Sequence, residues 1–116
     1  MNRLISREEL RAKLSSASRP VLVEALPEKY YVAKHLPDAL HLPHDQVDAL
    51  AAGVLPEKTA EIVVYCANRQ CQNSHMAAHR LSVLGYTNVS VYAGGKQDWE
   101  EAGLPFDSTP HAAVAA

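Results

Sequence analysis

The strongest constraint on the fold is the run 61–65, Glu-Ile-Val-Val-Tyr, in which every residue after the first is hydrophobic. A strand with apolar side chains on both faces belongs in a parallel sheet that is covered on both sides. Amphipathic helical patterns lie on either side of this strand along the chain, over 6–15 and 74–84. Strands that alternate with helices predict an α/β fold with a central parallel sheet flanked by helices.

Capping and turn residues set the remaining elements. Ser6 and Glu9 form a capping box that opens the first helix. Gly53, Gly85 and Gly103 stand where three later helices should end. The predicted strands cover 21–25, 39–42, 61–65 and 88–92, and the predicted helices cover 6–15, 28–33, 44–52, 74–84 and 96–102.

Length and charge exclude several classes of protein. The chain has 116 residues, which fits one domain of roughly 100–200 residues. Its 11 Lys and Arg against 13 Asp and Glu give a net charge of -2, so nucleic-acid binding is not expected. Its apolar runs fall far short of the ~20 residues of a membrane span, and acidic residues near the start argue against a signal peptide. We expect a cytoplasmic domain over 1–107 without a membrane partner, followed by a disordered tail over 108–116.

The two cysteines, Cys66 and Cys71, are too few and too close for a disulfide framework. Metal binding, redox chemistry and nucleophilic catalysis are the remaining interpretations of such a pair. Cys66 directly follows the buried strand, at the sheet edge where α/β proteins place their active sites. A helix N-terminus close by would favour the thiolate, so we predict a nucleophile with a lowered pKa. The alternative is a buried cysteine that only fills space.

Ordered motifs along nearly the whole chain, from about Leu4 to Phe106, resemble the rhodanese-like sulfurtransferases. They are His35-Leu36-Pro37-x-Ala39, Tyr65-Cys66 with Ser74-x-x-Ala77-Ala78-x-x-Leu81, Leu84-Gly85-Tyr86-x-Asn88-Val89, Tyr92-x-Gly94-Gly95 and Trp99-x-x-Ala102-Gly103-Leu104-Pro105. The resemblance implies a three-layer rhodanese-like fold with a five-stranded parallel sheet.

The resemblance also implies a chemistry. Cys66 would take a sulfane sulfur from a small anionic donor such as thiosulfate and pass it from a persulfide to cyanide or a thiol, including a protein thiol. From its position alone, we expect Arg69, the one cation of the loop, to attract the donor; the alternative is a solvated loop side chain. No cofactor or metal is implied. The loop residues that would cradle the sulfur are Ala67, Asn68, Arg69, Gln70, Cys71, Gln72 and Asn73.

Three features depart from the family pattern. Ser74 follows Cys66 by eight positions, two more than in the usual loop. Asn73 stands where the family commonly has an arginine. The segment 24–26, Glu-Ala-Leu, replaces an Asp-x-Arg motif. Donor preference and the shape of the pocket are therefore expected to differ from the family's.

Several alternatives stay open. Cys71 is either a bystander thiol or a partner that resolves an oxidised or persulfidated Cys66, which would make the protein redox-switched or able to release sulfide. The alternative function is a non-catalytic or redox-regulatory module that uses the Cys66 and Cys71 pair. Cys66 and Cys71 with His75 and His79 have a count and chemistry that would suit zinc, although the two histidines are expected to face solvent. A phosphatase loop is poorly supported, because its guanidinium position holds Gln72.

Overall fold

The computed structural model describes residues 3–108, so the predicted tail, except Ser108, lies outside the described residues. The chain alternates strands and helices throughout. The strands are β1 (Arg3–Leu4), β2 (Val21–Glu24), β3 (Leu40–His41), β4 (Ile62–Tyr65) and β5 (Val89–Tyr92), and the helices are α1 (Arg7–Leu14), α2 (Glu28–Ala33), α3 (Val47–Val54), α4 (Asn73–Val83) and α5 (Gly95–Glu101).

The five strands form one sheet in the order β1-β5-β4-β2-β3, and every neighbouring pair is parallel. This confirms the predicted α/β fold with a five-stranded parallel sheet. In the registers of β4 with its neighbours, Tyr65 lies beside Glu24 on one side and Tyr92 on the other. The carboxyl ends of the three central strands therefore meet at one edge, directly before Cys66.

Two apolar layers cover the faces of the sheet, as the hydrophobic run of β4 predicts. Alternate residues of β4 enter opposite layers: Ile62 and Val64 pack with α3 and α4, and Val63 and Tyr65 pack with α1 and α5. The helix residues in these layers include Val47, Ala51, Ala77, Ala78 and Leu81 on the first face and Leu10 and Trp99 on the second. The central strand is thereby buried on both sides.

The structure differs from the predicted elements in three places. β1 was not predicted, because two exposed residues carry no hydrophobic pattern and only pairing with β5 makes them a strand. The prediction that Gly53 ends a helix is wrong. A turn through His44 delays the start of α3 to Val47, and the helix then continues past Gly53 to Val54. α5 begins at Gly95, inside the predicted turn.

Within residues 3–108, no helix combines the length and apolar character needed to cross a membrane.

Candidate active site

Cys66 follows β4, the middle strand of the sheet, and is almost completely buried, with 1% of its surface exposed. Its Sγ atom lies 3.3 Å from Ser74 Oγ in the first turn of α4. The same sulfur lies 3.4 Å from the carbonyl oxygen of Cys71. The thiol hydrogen can therefore be donated either to the helix or to the loop. The sulfur is held between β4, the loop that follows it and the beginning of α4.

Burial raises the pKa of the Cys66 thiol to about 11, and the neighbouring Cys71 thiol also raises it. Hydrogen bonds from the hydroxyl and the backbone amide of Ser74 lower that pKa, but they offset only part of the cost of burial. The expectation of a lowered pKa is therefore wrong for this structure. The physical reason is that desolvation disfavours the thiolate more strongly than the few donors near the sulfur favour it.

Asn68 organises the loop. Its side-chain Oδ1 accepts hydrogen bonds from the amides of Gln70 and Cys71, each at 3.1 Å. Its carbonyl oxygen also accepts from the Cys71 amide, at 3.2 Å. These bonds fold the loop back on itself and bring Cys71 towards the sulfur of Cys66. The amides of Gln70 and Cys71 are thus engaged within the loop rather than with the sulfur.

Some of the loop residues that were expected to form the site are half-buried, and the others lie on the protein surface. Ala67, Asn68, Cys71 and Asn73 are half-buried, whereas Arg69, Gln70 and Gln72 are exposed. Asn73 begins α4, so the position where the family commonly has an arginine is the first residue of a helix. Ser74, the next residue, is buried against the sulfur.

Arg69 lines a polar cleft of about 490 Å³ together with Arg7, Tyr92 and Asp98. Asp98 is already engaged there, because its carboxylate pairs with Arg7 at 3.0 Å and accepts a hydrogen bond from Tyr92 at 2.5 Å. Within the part of the chain that the structure describes, Arg69 itself makes no ion pair. Its charge therefore faces solvent in a cleft beside the loop, at the carboxyl end of β5.

The start of α5 supports the base of the loop. The amides of Lys96 and Gln97 donate to the carbonyl oxygens of Cys66 and Ala67, each at 2.9 Å. Gly95 precedes them with φ +63°, and a Cβ atom there would lie 2.3 Å from the Cys66 carbonyl oxygen. Only glycine fits this conformation and this approach. The paired glycines predict a turn. In the structure, Gly95 also allows the start of α5 to approach the base of the loop.

A buried charged network lies beneath the loop. Glu24 is fully buried, and its Oε2 lies 2.8 Å from the Nζ of Lys96. The hydroxyl of Tyr65 donates to Glu24 Oε1 at 2.8 Å, and Lys96 Nζ donates to the carbonyl of Tyr30 at 2.8 Å. Burial raises the pKa of Glu24, while Lys96 and Tyr65 oppose that rise. The network joins the ends of β2 and β4 to the start of α5.

Sequence reasoning did not identify Lys96 or the role of Glu24. The signal in the sequence was the carboxylate of Glu24 at the end of an apolar strand. A buried charge of this kind needs a partner of opposite charge. Among residues 3–108, no three His, Cys, Asp or Glu side chains are arranged to hold a metal ion. Cys66 and Cys71 are both free thiols.

The sequence model of the rhodanese-like domain family matches residues 6–102 of this chain. Among curated proteins, the chain is similar to the adenylyltransferase and sulfurtransferase UBA4 of Candida albicans, with 24% identity over 101 residues. That alignment covers 84% of this chain and 23% of the relative, so the chain spans about a quarter of the length of that protein.

Solved structures with the same fold include proteins of similar size. The human single-domain sulfurtransferase TSTD1 superposes with a TM-score of 0.74 and 25% identity, over 87% of this chain and 97% of that one. A rhodanese with anions from E. coli superposes with a TM-score of 0.63 and 27% identity, over 77% of this chain and 98% of that one. The fold thus recurs in single-domain proteins.

Proposed function

Because this chain belongs to the rhodanese-like domain family, we propose that it is a sulfurtransferase that carries sulfane sulfur on Cys66 as a persulfide. The observation that carries the proposal is the position of Cys66, at the carboxyl end of the central strand and in contact with the first turn of α4. We propose thiosulfate as a donor and cyanide or a thiol as the acceptor. A protein thiol is included because it would attack a persulfide by the same thiol exchange as a small thiol.

The donor step requires the thiolate of Cys66, because the thiol is a poor nucleophile. The thiolate attacks the outer sulfur of thiosulfate, a sulfur–sulfur bond forms to Cys66, and the bond to the sulfonate breaks with release of sulfite. The hydroxyl and the amide of Ser74, which already favour the anionic form of Cys66, are placed to stabilise the charge on sulfur. The acceptor then attacks the outer sulfur of the persulfide, and the thiolate leaves.

The loop and the adjoining cleft are the proposed donor site. Arg69 lines this polar cleft, and its charge would attract a dianion, whereas the charge of Arg7 in the same cleft is offset by its ion pairs with Glu8 and Asp98. The remaining predicted loop residues, Ala67, Asn68, Gln70, Cys71, Gln72 and Asn73, are proposed to shape the site around the sulfur. We place the activity in the cytoplasm, where free thiols such as these persist.

Intact mass spectrometry after incubation with thiosulfate tests the proposal. We expect the chain to gain one sulfur atom, and we expect cyanide to remove it with formation of thiocyanate. The Cys66→Ser variant should gain none. A wild-type protein that neither retains sulfur from thiosulfate or another sulfane donor nor releases it as thiocyanate or sulfide would contradict the proposal and favour a non-catalytic or regulatory module.

A further inference from the structure

We propose that Cys71 is a resolving thiol that displaces the sulfane sulfur from Cys66 as hydrogen sulfide, which gives the protein a sulfide-releasing activity. The inference rests on the proposed Cys66 persulfide. It assigns Cys71 a catalytic role of its own, beyond lining the donor site.

The fold of the loop brings the two cysteines together. The Asn68 turn reverses the chain and holds the amide of Cys71 through both its side chain and its carbonyl oxygen. The Cys66 sulfur consequently lies 3.4 Å from the carbonyl oxygen of Cys71. Since a disulfide requires Cα atoms within about 7 Å, a loop that turns back in this way is a precondition for bridging the pair.

Because Cys66 is buried, a thiol within the loop reaches its sulfur more easily than a thiol from solution does. Cys66 is 1% exposed, so a thiol from solution must open the site to reach its sulfur. Cys71 is half-buried and already beside it, and the two thiols are close enough for Cys71 to influence the ionisation of Cys66. The chain has no third cysteine, so any intramolecular resolution must use this pair.

The chemistry balances without a cofactor. The Cys71 thiolate attacks the inner sulfur of the protonated Cys66 persulfide, a Cys66–Cys71 disulfide forms, and the bond to the outer sulfur breaks with departure of HS⁻. The two cysteines together lose two electrons, and the sulfane sulfur gains them. A dithiol from solution then reduces the disulfide through a mixed disulfide and restores both thiols. Each cycle thus converts one sulfane sulfur and one dithiol into sulfide and an oxidised dithiol.

Trypsin makes the test direct, because Arg69 lies between the two cysteines. Cleavage after Lys58, Arg69 and Arg80 places Cys66 in the peptide 59–69 and Cys71 in the peptide 70–80. The protein is loaded with thiosulfate, freed from excess donor and incubated without reductant. We expect free sulfide to equal the persulfide lost, the monomer mass to fall to two hydrogens below that of the reduced chain, and the two peptides to appear joined until a dithiol is added.

The rate should not depend on protein concentration, because the attack is intramolecular. In Cys71→Ser, the release of sulfide from the loaded protein should fall at least about a hundredfold, since a positioned thiol acts at a very high effective concentration. A matched control adds Ser82→Cys, at an exposed position of α4, to Cys71→Ser and so keeps two thiols in the chain. This control should not restore the rate.

The outcomes separate the two proposals. A persulfide on Cys66 that persists without sulfide release or joined peptides would overturn the role of Cys71 and leave sulfur transfer intact. Sulfide release at an equal rate from wild type and Cys71→Ser would also overturn it. Absence of a persulfide on Cys71→Ser, together with neither persulfide nor sulfide release from wild type, would remove both proposals.

Discussion

Gly95 approaches the carbonyl oxygen of Cys66 so closely that a Cβ atom on it would lie 2.3 Å from that oxygen. The same carbonyl accepts the amide hydrogen of Lys96 at 2.9 Å. The base of the loop and the start of α5 are therefore packed backbone against backbone, with no side chain between them. Substitutions at this contact should affect the loop and the stability of the fold together.

Replacing Gly95 with alanine should destabilise the protein by at least about 2 kcal/mol, because the clash adds to the cost of a positive φ. Urea denaturation measures the loss. Gly103→Ala is the matched control, since Gly103 also has a positive φ, +75°, but a Cβ atom on it would have no neighbour within 4 Å. It should cost only about 1–2 kcal/mol. Equal losses in the two variants would show that the contact with Cys66 is unimportant.

Removing Lys96 should leave the carboxylate of Glu24 buried without its cation. We expect Lys96→Met to lower the free energy of unfolding by about 3 kcal/mol near neutral pH. Without Lys96, burial raises the pKa of Glu24 further, so the folded state holds a proton that the unfolded state releases above about pH 4.3. The stability of the variant should therefore fall, relative to wild type, as the pH rises from about 5 to about 8.

Urea denaturation at the two pH values checks this sign. The double variant Glu24→Gln with Lys96→Met should recover much of the loss, because it removes both charges and keeps a hydrogen-bonding group beside Tyr65. A deficit that is independent of pH would contradict an unpaired buried carboxylate as its cause.

Alkylation of Cys66 by iodoacetamide should become faster with pH up to about 11, because burial raises the pKa of its thiol to that value. An ordinary thiol would reach its plateau above roughly pH 8.5. Mass spectrometry of the peptide 59–69 follows Cys66 separately from Cys71. Ser74→Ala should slow alkylation at a fixed pH by up to about tenfold, because the Ser74 hydroxyl lowers the pKa of Cys66.

Ser82→Ala, at an exposed position of the same helix, serves as the control for this effect and should not change the alkylation rate. A rate that levels off below about pH 9 would show that Cys66 is not desolvated as the structure has it.

Arg69→Ala should raise the KM for thiosulfate by about fivefold, since a positive charge near a dianionic donor contributes on the order of 1 kcal/mol. Arg19→Ala removes the same charge from the loop before β2, at the opposite end of that strand from Cys66. Its KM should stay within about twofold of the wild-type value. A similar rise in both variants would assign the effect to net charge rather than to the position of Arg69.

The layers and the order of the elements could be predicted from the sequence. Four consecutive apolar residues, Ile62 to Tyr65, indicate that β4 is buried on both sides. Ser6 is another local signal that the structure confirms, since its side chain caps α1 and Glu9 completes the capping box. Such signals act over a few residues and are therefore visible in the sequence.

Features that depend on distant contacts could not be predicted. β1 forms because Arg3 and Leu4 pair with β5. The two residues are too few to show a hydrophobic pattern that would predict a strand. The ion pair of Glu24 with Lys96 joins residues far apart in the chain. The pKa of Cys66 follows from how deeply the fold buries its sulfur, and position beside a helix does not reveal that depth.

The loop is bonded to the rest of the fold at its two ends, whereas the hydrogen bonds that the structure gives for Asn68, Gln70 and Cys71 stay within the loop. Its first residues, Cys66 and Ala67, are bonded to the start of α5, and its last contact with the sulfur is made by Ser74 within α4. Arg69 and Gln70, at its tip, are exposed. Residues between these anchors can therefore be inserted, removed or exchanged without disturbing the sheet, so the chemistry of the pocket can diverge while the scaffold beneath it stays constant.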